Sequence, residues 1–87
     1  MKKILFVCTG NTCRSPMAMA ICNDKIRKKG FKNIIADSAG IASDGSRISF
    51  GSAEALKKIG IDISDYRSKQ LDHALVNEAD IIIGSKG

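Results

Sequence analysis

Apolar residues gather into three short runs, and between them lie two stretches whose apolar positions recur at helical spacing. The first run, Ile4 to Cys8, is continuous, rich in β-branched and aromatic side chains and too short for a helix. It reads as a strand buried on both faces, the kind found in parallel sheets. Thr9, Gly10, Asn11 and Thr12 follow as turn-formers, and Ser15-Pro16 then offers a helix cap and a first helical residue. Ala18, Ile21, Cys22 and Ile26 repeat at helical spacing, and Lys25, Arg27, Lys28 and Lys29 crowd the last turn before Gly30. The pattern predicts a helix over about residues 16–29.

Ile34 to Ala36 is a second short strand, closed by Ser38-Ala39-Gly40 into a polar loop from Ile41 to Gly51. A second helix starts near Ser52, carries Ala53, Leu56 and Ile59, and stops at Gly60. Leu71, Leu75 and Val76 suggest a short third helix before Ile81 to Ile83, a third buried strand. The order is βαβααβ. Right-handed crossovers then place strand 1 centrally in a parallel sheet of order 2-1-3, with helices on both faces: an α/β fold of three layers, αβα. The winding reverses just beyond the carboxyl end of strand 1, so the switch point where such folds bind ligands is the segment Cys8 to Ser15. No repeat, low-complexity tract or linker interrupts the chain, and residues 1–87 read as one domain.

Composition narrows the classes. The 87 residues, 44% of them apolar, can bury one thin core and no more. A formal charge of +5 suits anionic ligands. Aromatics at 5% argue against a base-stacking nucleic-acid platform, and the run Lys25, Arg27, Lys28, Lys29 reads as a solvated helix end. The first apolar run is shorter than a secretory core of about 7 residues, and none approaches the roughly 18 needed to span a membrane. A cytoplasmic protein with no membrane or nucleic-acid partner is expected. Three cysteines, at 8, 13 and 22, make a poor disulfide framework. One Cys-x4-Cys pair and a distant His73 make a poor zinc site, so no metal or other cofactor is expected. Chemistry is the better reason for these thiols.

Cys8-Thr9-Gly10-Asn11-Thr12-Cys13-Arg14-Ser15 sets a cysteine at a strand end, five loop residues, then an arginine and a serine at a helix start. Successive backbone N–H groups in such a loop form an anion nest, and the first helical turn adds partial positive charge. That field holds a phosphate-sized oxyanion and also favours a Cys8 thiolate. Arg14 supplies a planar fork for two phosphoryl oxygens. Gly10 is expected to allow close approach and positive φ, Asn11 tolerates the left-handed region, and the Ser15 hydroxyl can donate to the sulfur. The bland alternative is a capped strand-to-helix turn with a buried cysteine and a solvated arginine. A nucleotide P-loop is set aside, because its Lys-Ser/Thr ending is absent.

Residues Val7 to Ala18, together with Asp37-Ser38-Ala39-Gly40 and Glu78-Ala79-Asp80-Ile81-Ile82-Ile83, resemble the low-molecular-weight protein tyrosine phosphatases over essentially the whole chain. The resemblance implies a phosphocysteine intermediate on Cys8, a phosphoryl clamp at Arg14, assistance to the nucleophile from Ser15, and loop bracing by Asn11 and Ser38. It implies a substrate cradle of Thr9, Gly10, Asn11, Thr12 and Cys13, and a reversible protective disulfide between Cys8 and Cys13. Its substrates would be phosphorylated proteins or small phosphoesters, with inorganic phosphate or sulfate able to occupy the loop. Thr12 stands where the phosphotyrosine branch usually has isoleucine and the protein arginine phosphatase branch has threonine, which tilts the expectation toward phosphoarginine. Two departures stand out: Tyr66 replaces the family's histidine near the second crossover, and Met19 its usual acidic residue.

That family carries its general acid on an Asp-Pro loop beyond the third strand, and its members run to nearly twice this length. The only proline here is Pro16. The resemblance therefore covers the nucleophile-bearing portion, and loss of a general acid would slow turnover by about 10² to 10⁴. Asp44 is a candidate substitute, a solvated turn aspartate the plainer reading. Two other functions remain open: a non-catalytic oxyanion-binding module, and a thiol-linked arsenate reductase, which would need two further cysteines where this chain has none beyond Cys22. Self-association through an uncovered sheet edge is also expected.

Overall fold

The computed structural model describes residues 1–84. Its elements run β1 (Lys2–Cys8), α1 (Arg14–Lys28), β2 (Ile34–Gly40), α2 (Phe50–Lys58), α3 (His73–Glu78) and β3 (Ile81–Gly84). The three strands form one parallel sheet of order β2-β1-β3, as the apolar runs predict. β1 pairs with β2 from Lys2 opposite Ile34 to Cys8 opposite Gly40, and with β3 from Ile4 opposite Ile81 to Val7 opposite Gly84.

Alternation along the strands sorts side chains into two layers. Leu5, Val7 and Ala39 point to one face and pack with Leu71, Leu75 and Ala79 of the α3 region. Ala36 and Ser38 point to the other, where α1 lies: Asn23 bonds both the N–H and the C=O of Ala36 at 2.9 Å. A second apolar cluster, Ala20, Ile48 and Leu56, joins α1 to α2. The three-layer αβα arrangement follows.

Element limits moved where side chains found distant partners. α1 begins at Arg14, two residues before the expected start, so Pro16 sits inside the first turn, where a missing N–H costs nothing. It ends where the basic run and Gly30 predict: Gly30 takes φ 77°, and Phe31 N–H returns to the Ile26 carbonyl at 3.1 Å. β2 continues through polar Asp37 and Ser38 to Gly40, because pairing with β1 holds the segment extended. α2 begins at Phe50 rather than Ser52, with Ser49 as its cap, accepting the Ser52 N–H at 3.3 Å. The largest difference is β3. Its residues were expected to be buried, yet Ile81, Ile82 and Ile83 are 54%, 49% and 42% exposed. Among the described residues β3 lies at the edge of the sheet, and the α3 cluster covers Leu5 and Val7 on β1 without reaching over it.

Candidate active site

The predicted site residues converge. Cys8, Thr9, Gly10, Asn11, Thr12, Cys13 and Arg14 line one open cavity of about 210 Å³ beyond the carboxyl end of β1. Ser15 and Ser38 are fully buried behind it. Cys8 lies at its base, with Sγ 2.8 Å from Ser15 Oγ and receiving the Asn11 N–H at 3.1 Å. Arg14 and Cys13 stand exposed at the rim, on the first turn of α1 and its cap.

Two parts of the loop differ from their expected roles. Ser15 does not cap α1; Cys13 holds the cap position, without a side-chain bond to the helix N–H groups. The Ser15 hydroxyl faces the sulfur instead, because helix α1 starts early enough to put Ser15 inside its first turn. Gly10 is not among the positive-φ residues either: the left-handed position is Asn11, at φ 58°. The close approach belongs to Gly40, on the neighbouring strand. A Cβ there would come within 2.8 Å of the Thr9 carbonyl oxygen and 2.9 Å of Gly10 C and Asn11 Cβ. Only glycine lets β2 lie flat under the loop.

Hydrogen bonds fix the polarity of this centre. The Lys69 backbone N–H can only donate, and it reaches Asn11 Oδ1 at 2.9 Å, so that atom is the amide oxygen. Tyr66 donates its hydroxyl to the same oxygen at 2.8 Å. Asn11 Nδ2 must then donate to Ser15 Oγ, at 2.7 Å. Ser15 Oγ lies 2.8 Å from Cys8 Sγ, and toward a thiolate, which can only accept, the hydroxyl is the donor. Behind the relay, Ser38 Oγ lies 2.7 Å from the Tyr66 oxygen and 3.6 Å from Met19 Sδ. Among the described residues no buried side-chain polar atom lacks a partner.

This arrangement decides the charge on sulfur. Burial opposes ionisation of Cys8 and is the largest single influence, but the Ser15 hydroxyl and the backbone N–H groups of Ser15, Asn11 and Gly10 together outweigh it. The thiol titrates below its ordinary value of 9.0. Burial holds the Tyr66 phenol above its ordinary value, opposed by its hydrogen bond with Ser38, so it stays neutral and keeps its proton. Asp44 is fully exposed, bonded to the Ser46 hydroxyl and N–H, and held below the ordinary carboxylate value by them. An aspartate kept ionised in this way has no proton to give a leaving group.

Sequence reasoning missed Tyr66 as a partner of Asn11, noting it only as a departure, and missed Lys69. Both lie in a polar segment without periodicity, and each meets Asn11 across more than fifty residues of chain. It also missed Ser52, whose hydroxyl donates to Cys13 Sγ at 3.1 Å and ties α2 to the loop. All three cysteines are free thiols.

The family model described as low molecular weight phosphotyrosine protein phosphatase matches residues 3–86. The low molecular weight protein-tyrosine-phosphatase YfkJ of Bacillus subtilis is 42% identical over 86 residues, covering 95% of this chain and 55% of that protein. A low molecular weight protein tyrosine phosphatase structure from T. tengcongensis superposes with a TM-score of 0.90 at 45% identity, over 97% of this chain and 58% of the other. The YwlE arginine phosphatase from Geobacillus stearothermophilus superposes at 0.83 with 38% identity, over 97% and 52%. Arsenate reductases are also similar, one from Brevibacillus brevis at 40% identity over 82 residues, 94% of this chain and 57% of that protein. The chain thus spans a little over half the length of the relatives it matches, and the family match extends over residues 3–86, from β1 through β3: it belongs to the low molecular weight phosphotyrosine protein phosphatase family.

Proposed function

We propose that this chain carries the nucleophilic half of a cysteine-dependent phosphatase acting on phosphorylated protein side chains or small phosphoesters. The observation that carries it is the Cys8 sulfur at the base of an anion-sized cavity, bonded by Ser15 Oγ at 2.8 Å and Asn11 N–H at 3.1 Å. The thiolate attacks phosphorus, an S–P bond forms, and the bond to the leaving group breaks with its electron pair departing on that group. Water then cleaves the S–P bond, releasing inorganic phosphate and restoring the thiolate. Arg14 and the loop N–H groups stabilise the charge spread over the phosphoryl oxygens, and Ser15 stabilises sulfur as it leaves. Inorganic phosphate or sulfate occupies the same nest.

The 87 residues contain no Asp-Pro dipeptide, and Asp44 is held ionised. Turnover by these residues alone therefore favours leaving groups that depart without a proton, about 10² to 10⁴ slower for those that need one. Thr12 on the cavity wall supports a phosphoarginine substrate, in keeping with the arginine phosphatase similarity. Cys8 and Cys13 are both free thiols, as a reducing cytoplasm keeps them; a peroxide would join them in the reversible disulfide by taking up their two electrons and two protons as water and alcohol or a second water, and an external dithiol would restore them. A second copy would pair along β3, an association that sedimentation at rising concentration reads out.

The test is turnover of p-nitrophenyl phosphate, a phosphotyrosine peptide and a phosphoarginine protein, with mass-spectrometric trapping of phosphocysteine and Cys8→Ser as control. Phosphocysteine on Cys8 is expected; its absence with all three substrates would sink the catalytic reading. Phosphate binding that persists in Cys8→Ser without wild-type turnover would instead mark an oxyanion-binding module. The arsenate reductase similarity makes arsenate-dependent thiol oxidation a necessary parallel assay.

A further inference from the structure

The segment that supplies Tyr66 to the catalytic loop does so from a two-stranded ribbon with a second face. Residues 46–48 and 66–68 pair antiparallel: Ile48 N–H donates to the Tyr66 carbonyl at 3.3 Å and Ser68 N–H to the Ser46 carbonyl at 2.8 Å. Those bonds flank Arg47 and Arg67, which stand directly opposite one another. They form a pair of the type without hydrogen bonds between its members, in which Cα atoms lie about 4.5 Å apart and side chains are closest. The inner face is committed, since Ile48 and Ser68 are buried and the Tyr66 hydroxyl reaches Asn11. By alternation both arginines project from the outer face, and both are exposed.

Like charges directly opposite on paired strands repel. None of the ion pairs among the described residues involves either arginine. Arg67 donates once, to the Gly45 carbonyl at 3.5 Å. Asp44, close by in sequence, is engaged by Ser46. The repulsion cannot relax by a register slip, because the same ribbon clamps the site: Tyr66 braces Asn11, and Ser49 N–H donates to the Thr12 carbonyl at 2.8 Å. Arg47 is two residues, about 7 Å of extended chain, from that contact on the cavity wall.

Two arginines opposite one another on paired strands can turn both guanidiniums to one carboxylate, which accepts from both. We infer that the Arg47–Arg67 pair is a docking point for acidic side chains two or three positions from the phosphorylated residue of a protein substrate, a reach of about 7–10 Å along an extended peptide. The inference rests on the reading that the nest takes a phosphorylated protein side chain, and it adds what surrounds that residue. Basic residues at the ends of α1 and α2 give the control.

The experiment measures binding of fluorescein-labelled phosphotyrosine peptides, flanked by three glutamates or by three glutamines, to the Cys8→Ser chain by anisotropy. The unphosphorylated glutamate peptide is a third probe. Glutamate flanks are expected to tighten binding about fivefold at low salt, an advantage lost in Arg47→Gln/Arg67→Gln and kept in Lys25→Gln/Lys29→Gln, which removes the same charge. Equal loss in both double variants, or no preference for glutamate, would overturn the docking point. A glutamate preference that needs Arg47 and Arg67 but gains nothing from the phosphate would leave the docking point standing and defeat the phosphotyrosine reading of the nest.

Discussion

The carboxyl end of β1 and the outer edge at β3 are built to opposite rules. At the first, Asn11, Ser15 and Ser38 are completely buried polar side chains, Asn11 and Ser38 bonded to Tyr66 and Ser15 to Cys8 and Asn11 within the loop. At the second, three consecutive isoleucines are about half exposed, and the strand is held by its ladder to β1 and by the exchange between Lys3 and Asp80, whose backbone N–H groups donate at 2.8 Å to the Asp80 carboxylate and the Lys3 carbonyl. The opposite edge, β2, is sealed by Asn23 against Ala36. The contrast teaches where precision is concentrated. Buried polar groups tolerate little displacement, because a stranded donor costs more than a bond contributes, whereas exposed apolar groups lose little when changed. Substitutions should therefore be costly at the loop and nearly silent at the edge.

Asn11→Ala should have the largest effect. It strands the Lys69 N–H, leaves the Tyr66 hydroxyl only Ser38 as a partner and puts alanine at a left-handed position, destabilising the chain by about 2–4 kcal/mol in urea unfolding. Gly40→Ala comes next, at about 1–3 kcal/mol, because its methyl group meets rigid backbone at Thr9 and Gly10. Calorimetric titration with inorganic phosphate should show the nest lost as well.

Tyr66→Phe keeps the ring and removes one donor, for about 1 kcal/mol. Its sharper readout is Cys8 itself. Alkylation of the Cys8 peptide, followed by mass spectrometry against pH, should titrate below 9.0 in the parent and shift upward in Tyr66→Phe, as Asn11 and Ser15 lose their orientation. The linkage has a definite sign. The folded thiol has the lower value, so the unfolded chain binds more protons between the two values, and stability relative to Cys8→Ser should rise with pH up to about 9.0 and fall away below the folded value. Ile82→Thr, on the exposed edge, should change stability by less than about 0.5 kcal/mol. A loss comparable to that of Gly40→Ala would erase the contrast between the two regions.

Much of this was readable before any coordinates. The run Ile4 to Cys8, the helical spacing after Ser15 and the isoleucines at 81–83 carry their periods locally, so strand and helix identities and the 2-1-3 order follow from pattern and chain handedness. The cluster at Cys8 to Ser15 was readable because loop and helix start are contiguous in sequence. Element starts were less so: Ser15 and Ser49 are both serines at helix starts, and only the structure shows that one faces a sulfur while the other caps. The exposure of β3 was not readable either, since an apolar run looks the same whether or not something lies over it.

By itself, then, the sequence determined the parallel α/β architecture, the loop that joins Cys8 to the arginine at the helix start, and the family, because each is written in adjacent residues or in a short period. The tertiary structure decided the surroundings of the Cys8 sulfur. Tyr66 and Lys69 reach Asn11 over fifty-five and fifty-eight positions, and through it orient Ser15 toward the sulfur. Gly40 makes room beneath the loop from the neighbouring strand. Such partners are set by how β2 and the Tyr66 segment pack beside β1, and packing at that range leaves no period in the chain.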